Sequence, residues 1–293
     1  MKTVTQIAAA PGGLPVLGHA LRLLRDPRDF LSSLPAHGNV VRIGVGPWKA
    51  LVICDPELLR EVLVNDRVFD KGGTLIDRGR ETLGNGIAHC PHSDHREQRR
   101  LLQPAFHRAQ MARYAEVMTR EIGTVMDGWR DGLTIDVLAE MTAVSTRVVS
   151  RTVFSSEAAV EAAKIVGEAA DEFVRSMFRQ TIMPPLINKL PTPANRRYQA
   201  AVARMHKAAA RAAEQYRRDG IDHGDILSVL LAARGDNGKP LSDTQIRAQV
   251  ITLLLGGIGT PTDGFPTGRD SVPAPPSSPS AVEHANVSAT NLA

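Results

Sequence analysis

The sequence predicts a mainly α fold with a small N-terminal β hairpin. Two observations carry this. From Met111 to Leu255, apolar residues recur at spacings of three and four, the period of an amphipathic helix. Before that, Val40–Val45 and Ala50–Ile53 alternate or run β-branched on either side of Gly46-Pro47, a hairpin pattern. The composition suits a globular chain: 293 residues, 43% hydrophobic and 23% charged. Aromatic residues make up only 4%, which argues against a surface of stacked bases, and a formal net charge of +4 is too small to mark a nucleic-acid partner.

In chain order, Met1 to Ala10 reads as irregular, with no apolar stretch long enough for a signal peptide. Pro11 to Gly18 is an entry segment of turn formers. Leu21 to Pro35 reads as helix, with a start at Asp26-Pro27. After the hairpin, Asp55-Pro56 opens a helix through Val64. Asp70 to Ile87 has turn residues at both ends and reads as a loop. Helices follow over Met111 to Trp129, Asp136 to Phe154 and Ala158 to Met177, the methionines among them read as core filling. A proline-broken connection spans Met183 to Pro193. Next comes a long helix, Ala194 to Arg218, with Arg and Ala on its outer face, and a short one, Asp225 to Ala233. Ser242 and Gln245 form a capping box that launches a helix over Ile246 to Leu255, continuing into Gly256 to Thr260. Pro261 to Ala293 has neither period and many Pro, Ser and Thr, so it reads as a disordered tail. The expected organisation is residues 1–10 disordered, 11–260 folded and 261–293 disordered.

One stretch stands out chemically, His92 to Phe106. As a helix capped by Ser93 or Asp94 and ended by Pro104, it puts His95, Arg99, Leu102 and Phe106 on one stripe. Two cation-capable donors leading into an apolar seam suit a ligand with an apolar body and an anionic edge, since Arg donates to carboxylates in two parallel bonds. The plainer reading is a solvated basic helix with an amphipathic core face. A zinc site from His89, Cys90, His92 and His95 is a rival, but the spacing matches no standard pattern. The paired Gly256-Gly257 near the end of the last helix costs helix stability. Such a pair is tolerable where something flat approaches the backbone, although a helix simply ending there explains it as well.

The phrases APGGLP, LGHALRLLRDP, FLSSLPAHG, CPHSDHREQRRLLQPAFHR, LPTPANRR and LSDTQIRAQVITLLL together resemble the bacterial cytochrome P-450 family, the heme-thiolate monooxygenases, and its sesquiterpene-oxidising members in particular. The resemblance covers about Ala10 to Ile258. It implies the N-terminal part of the P-450 fold, helices A to I, truncated. It also implies heme b as cofactor, with His95 and Arg99 on the propionates and Gly256 and Gly257 letting helix I pass over the porphyrin. Thr260 would assist proton delivery. Leu83, Ile87, Phe173 and Met177 would border an apolar terpenoid substrate, and electrons would come from a ferredoxin and its reductase, with Arg96 and Arg100 open to that contact. The family's acid before the helix I Thr is replaced by Gly259. Neither of the two cysteines, Cys54 and Cys90, stands in a Phe-x-x-Gly-x-x-x-Cys loop, and the Glu-x-x-Arg of helix K is absent.

The expectation is therefore a chain without catalysis of its own that does not hold heme stably. With no disulfide framework, no leader and no spanning segment, it is expected in the cytoplasm, away from membrane and nucleic acid. Two other readings are a non-catalytic helical interaction module and a metal- or nucleic-acid-binding helical protein using His89 to Arg100.

Overall fold

The computed structural model describes residues 7–46, 48–183, 185–236, 238–262 and 271–273. The chain divides into two compact units. One comprises Met1–Thr82, His89–Arg96 and Asp171–Ala201, the other Leu83–Ala88, Glu97–Ala170 and Val202–Ala293.

The first unit is built on a three-stranded sheet. Strands β2 (Val40–Val45) and β3 (Trp48–Ile53) form the expected hairpin, antiparallel from Val40 opposite Ile53 to Val45 opposite Trp48. Ala8–Ala9, in the stretch expected to be irregular, form β1 and pair in parallel with Val41 and Arg42 of β2. Helices α1 (Ala20–Arg25) and α2 (Pro27–Ser33) supply Leu23 and Phe30 to a core with Leu34, Val41 and Ile43. The predicted helix start is real. Asp26 accepts the Asp29 N–H at 3.0 Å and Pro27, which has no N–H to lose, opens α2. Buried His19 ties the leader to the sheet. The Gly44 N–H donates to its Nδ1 at 3.1 Å, so the ring proton sits on Nε2 and donates to the Ala10 carbonyl at 3.1 Å. Helix α3 (Pro56–Val64) begins as predicted, with Asp55 accepting from Glu57 and Leu58 N–H groups at 3.0 and 2.9 Å.

The stretch read as loop over Asp70 to Ile87 contains a helix, α4 (Thr74–Leu83). Its inward stripe escaped notice because the middle position is a glycine. A Cβ on Gly79 would stand 2.4 Å from the His89 ring, so no side chain fits there and the apolar period is broken. After α4 comes α5 (His92–Leu102), which begins in the first unit and ends in the second.

Helices α6 (Arg108–Met126) and α7 (Val137–Val153) follow the expected order, with a short strand β4 (Thr134–Asp136) before α7 that the sequence did not suggest. Then come α8 (Glu157–Ile182), α9 (Pro185–Lys189), α10 (Pro193–Asp219), α11 (Ile226–Ala232) and α12 (Asp243–Thr262). The proline-broken connection is tied by buried Asn195. Its amide donates to the Ile187 and Leu190 carbonyls at 2.9 and 2.8 Å and accepts from Gln180 at 2.9 Å. Two expectations are corrected. Most alanines of α10 line its buried face, with Ala201, Ala208, Ala209, Ala212 and Ala213 in line with Met205 and Tyr216, while Ala200 and Ala203 are exposed with the arginines, so the outer-face reading holds for the arginines and only part of the alanines. The methionine stripe of α6 is not core. Met111, Met118 and Met126 are exposed, and only Tyr114 and Glu121 of this helix are buried among the described residues. Alanine lets helices approach closely, whereas no described element covers the methionine face.

Helix α12 runs through Pro261 to Thr262, beyond the break expected from Gly256 to Pro261, because a proline in the last turn forfeits only one backbone bond. Within the segment expected to be disordered, Ser271–Pro273 form β5, antiparallel to β4. The rest of 263–293 and residues 1–6 lie outside the described residues.

The second unit holds a buried phenol–carboxylate pair. Tyr216 Oη donates to Asp225 Oδ2 at 2.6 Å, and the same carboxylate accepts the Ser155 N–H at 2.6 Å and caps α11 through Ser228 N–H at 2.9 Å. Burial, then the bond to Asp225, push the Tyr216 phenol up to about 12. Between pH 10 and 12 the unfolded phenol ionises while the folded one stays neutral, so the folded state binds more protons and stability falls as pH rises. Tyr216 contributes a slope of at most about 1.4 kcal/mol per pH unit. Chemical denaturation across that window should show stability falling with pH in the wild type and a shallower fall in Tyr216→Phe, the remainder coming from Tyr114 and Tyr198, whose phenols burial also raises.

Candidate functional site

The candidate site starts with α5. Its cap is neither Ser93 nor Asp94, which lie in its first turn. Both Asp70 carboxylate oxygens accept the His92 N–H at 3.0 Å, so a residue 22 positions upstream satisfies the helix start. That bond is the main reason the Asp70 carboxyl sits below the usual carboxylate range. Along α5 the buried face is Gln98, Leu101 and Leu102, with His95 half-buried at its edge and Arg99 exposed one turn on. The predicted stripe ends at Leu102, since Phe106 stands in a following 3-10 turn and is 51% exposed. Arg99 enters no ion pair among the described residues. Arg100 does. It pairs with Asp236, whose N–H donates to Glu97 Oε1 at 3.0 Å, so Arg100 is engaged within the chain and Arg96 alone of that pair stays open.

The capping box of α12 forms as read. Gln245 Oε1 accepts the Ser242 N–H at 2.9 Å while Ser242 Oγ accepts the Gln245 N–H at 3.3 Å. The two glycines at its far end differ. A Cβ on Gly257 would lie 2.5 Å from a Val149 methyl, so this glycine is where α12 meets α7, and its close approach is to a helix. Gly256 is exposed, and a Cβ there would meet nothing within 4 Å. Nothing described in the chain needs Gly256 to lack a side chain. Thr260 lies in α12, and its side chain is outside the described residues.

The apolar candidates fall in different units. Leu83 and Ile87 belong to the second, Phe173 and Met177 to the first. Leu83 and Phe173 are fully buried, Phe173 stacked on Tyr198 with ring centroids 5.8 Å apart, and neither leaves surface for a ligand. Ile87 and Met177 are half-buried and keep some. Sequence reading missed what holds Ile87: its N–H donates to Gln249 Oε1 at 3.2 Å, and Gln249 donates to Gln98. The signal was available, a lone Gln inside the apolar run of α12 and another beside Leu101 and Leu102.

Cys90 is no poised thiolate: it is buried, and burial pushes its thiol up. Cys54 is half-buried beside the first unit's core. Among the described residues no three His, Cys, Asp or Glu side chains converge as a metal-binding group, and His89 turns its ring onto Gly79, its pKa lowered chiefly by burial.

Residues 9–264 match the family described as Cytochrome P450. The chain belongs to the cytochrome P450 family. It is 46% identical over 251 residues to pentalenene oxygenase of Streptomyces avermitilis, which covers 86% of this chain and 56% of that protein. It is also 46% identical over 254 residues to cyclooctatin synthase of Streptomyces melanosporofaciens, over 86% of this chain and 55% of the other. The fold is that of the retinoic acid bound cyanobacterial CYP120A1, with a TM-score of 0.73 at 20% identity, covering 87% of this chain and 58% of that one. The chain thus spans about half the length of the curated P450 relatives it matches. No helix among the described residues is long and apolar enough to cross a membrane.

The family implies heme, and the residues present fit one part of it. An exposed guanidinium with no ion pair suits a propionate, and an exposed helical glycine with open space beside it suits a flat ring. They do not fit the iron, because the two cysteines of the chain are in a strand end and a buried loop.

The glycines give a paired test. Gly257→Ala should cost about 1–3 kcal/mol through overpacking on Val149. Gly256→Ala should stabilise by about 0.5–1 kcal/mol, since alanine is the better helix residue and meets nothing. Urea unfolding of both variants checks this. Asp70→Ala should lower the melting temperature and should also remove an acid sensitivity. A carboxylate whose folded pKa is depressed contributes stability above its unfolded pKa, and that contribution is lost as pH falls through the folded value. Thermal melts from neutral to acid pH read it.

Proposed function

We propose that this chain is the heme-rim and substrate-bordering part of a terpenoid monooxygenase. The observation that carries the reading is Gly256, a helical glycine whose missing side chain serves no packing need within the described chain. Its cost in helix stability is accounted for if a flat cofactor lies against it. Arg99 and His95 would donate to the propionates, Arg99 in two parallel bonds. Heme, when bound with a thiolate ligand, supplies dioxygen activation for oxidising an unactivated carbon. The chain's own residues would orient it, and Ile87 would exclude water on the apolar side. Thr260 would hold a proton for delivery. An apolar, terpenoid-like substrate is supported by the names of the two Streptomyces relatives. A ferredoxin with its reductase is the proposed electron source, and Arg96 is the residue of this chain left to meet it.

The chain by itself is proposed to lack catalysis, because neither Cys54 nor Cys90 offers a thiolate to iron. A heme titration of the purified chain, followed by absorbance, tests the rim assignment. Weak saturable binding is expected, reduced about threefold to tenfold by Arg99→Ala or His95→Ala, in line with loss of one charge-assisted bond at a solvated edge. Gly256→Ala should bind heme more weakly while being the more stable protein. Equal binding by all three variants and wild type would sink the assignment.

A further inference from the structure

Within the second unit, α6, α7 and the first half of α8 gather charge around one buried carboxylate. The Glu121 side chain is 7% exposed, and three arginines reach it: Arg147 Nη2 at 3.1 Å, Arg120 Nε at 3.5 Å and Arg151 Nε at 3.9 Å. Arg151 is balanced by Glu157, to which its two Nη atoms donate at 2.5 and 2.9 Å. Arg120 and Arg147 therefore share a single negative charge, and each keeps guanidinium N–H groups that no described residue accepts. Arg113 donates only to backbone carbonyls, those of His223 and Gly224 at 2.7 and 3.1 Å. Lys164 has no partner among the described residues. Cations held this close repel one another, and nothing else in the described chain offsets the excess.

Two cavities open against this group. One, of about 170 Å³, is lined by Arg147, Arg151 and Lys164 together with Glu121. The other, of about 220 Å³, is lined by Arg113, Arg120 and Arg151 together with Glu116. Each is far larger than the roughly 15 Å³ that one water needs and smaller than the roughly 300 Å³ of a drug-sized pocket, which is the scale of a small ion. Arg151 lines both cavities, and each has three cations, so the arrangement suits a ligand with two linked anionic centres.

We propose that this is a binding site for a diphosphate group, with one phosphoryl in each cavity. Arg147 and Lys164 hold the first phosphoryl and Arg113 and Arg120 the second, the arginine forks matching pairs of phosphate oxygens and the lysine acting as a point charge. Arg151, already engaged by Glu157, forms the shared wall. Glu121 is a positioning residue: it opposes the ligand by its charge but fixes Arg120 and Arg147 beside the two cavities before the ligand arrives. The site lies apart from Arg99 and Gly256, so it stands independently of the function proposed above.

Calorimetric titration of the full chain with inorganic diphosphate tests the site, with ionic strength held constant by KCl because exposed charges are screened. One diphosphate per chain is expected, bound about tenfold or more tighter than inorganic phosphate, which fills one cavity only. Lys164→Gln and Arg120→Gln each remove an exposed cation from one cavity. Each should weaken diphosphate about threefold to tenfold, and the two together should bring it down to the affinity of phosphate. Arg211→Gln, an exposed cation of α10 that lines neither cavity, should bind as the wild type does. Lys164→Gln has no contact to lose, so its melting temperature without ligand should equal that of the wild type. ADP and geranyl diphosphate carry the same group on an organic body. Tighter binding of either than of inorganic diphosphate assigns the site to that source, and weaker binding of both assigns it to the free ion. Diphosphate bound no tighter than phosphate, or bound equally by the wild type, Lys164→Gln and Arg120→Gln, would overturn the proposal.

Discussion

A glutamine amide cannot be left dry and unpaired in the middle of an apolar helix, and in this chain that constraint organises the second unit. Gln249 interrupts the apolar run of α12, and both ends of its amide are satisfied by groups far away in sequence, Ile87 and Gln98. Helix α5, the 84–88 loop and α12 are thereby brought into one register. Because Arg99 follows Gln98 directly, and Gly256 lies two turns beyond Gln249 on the same face of α12, the register of that amide pair also sets where the exposed cation and the open glycine stand.

Within the first unit, the start of α5 is held by a different physical route. Asp70 caps α5 from outside, and the His89 ring fills the place where a side chain on Gly79 would be. The first contact is a hydrogen bond and the second is close packing. What the two units share is that their chemistry-bearing residues are placed by single polar contacts, while the bulk of the burial comes from alanine-rich faces of α8 and α10 and from the aliphatic core under the sheet. Such a division leaves the site residues sensitive to substitutions that hardly alter the amount of buried surface.

Much of the fold was legible from the residues. The hairpin, the Asp55-Pro56 and Asp26-Pro27 helix starts, the capping box of α12 and the stop before Pro104 each follow from local chemistry, and each stands where it was read. Helix α4 was hidden because a glycine broke its stripe, and the cap of α5 because it comes from Asp70, beyond any local pattern. The α6 methionines were misread because period shows which residues share a face but not whether anything covers it. Of the candidate site, His95 and Arg99 are proposed from the family's wording, and the structure adds that His95 is half-buried and Arg99 exposed. The Gln pair was not legible, since a buried polar pair leaves only two isolated glutamines in the sequence. The glycine pair was half legible: spacing marked it, and only the structure separates Gly257, against Val149, from Gly256, against open space.

The central claim is that the chain presents groups for the acidic rim and face of heme and no sulfur for its iron. The carbon monoxide spectrum of the reduced, heme-loaded chain tests this most directly. The account expects a spectrum without the band that thiolate ligation produces, in wild type and in Cys54→Ser and Cys90→Ser alike. A thiolate-type band in the wild type, lost in either serine variant, would contradict it.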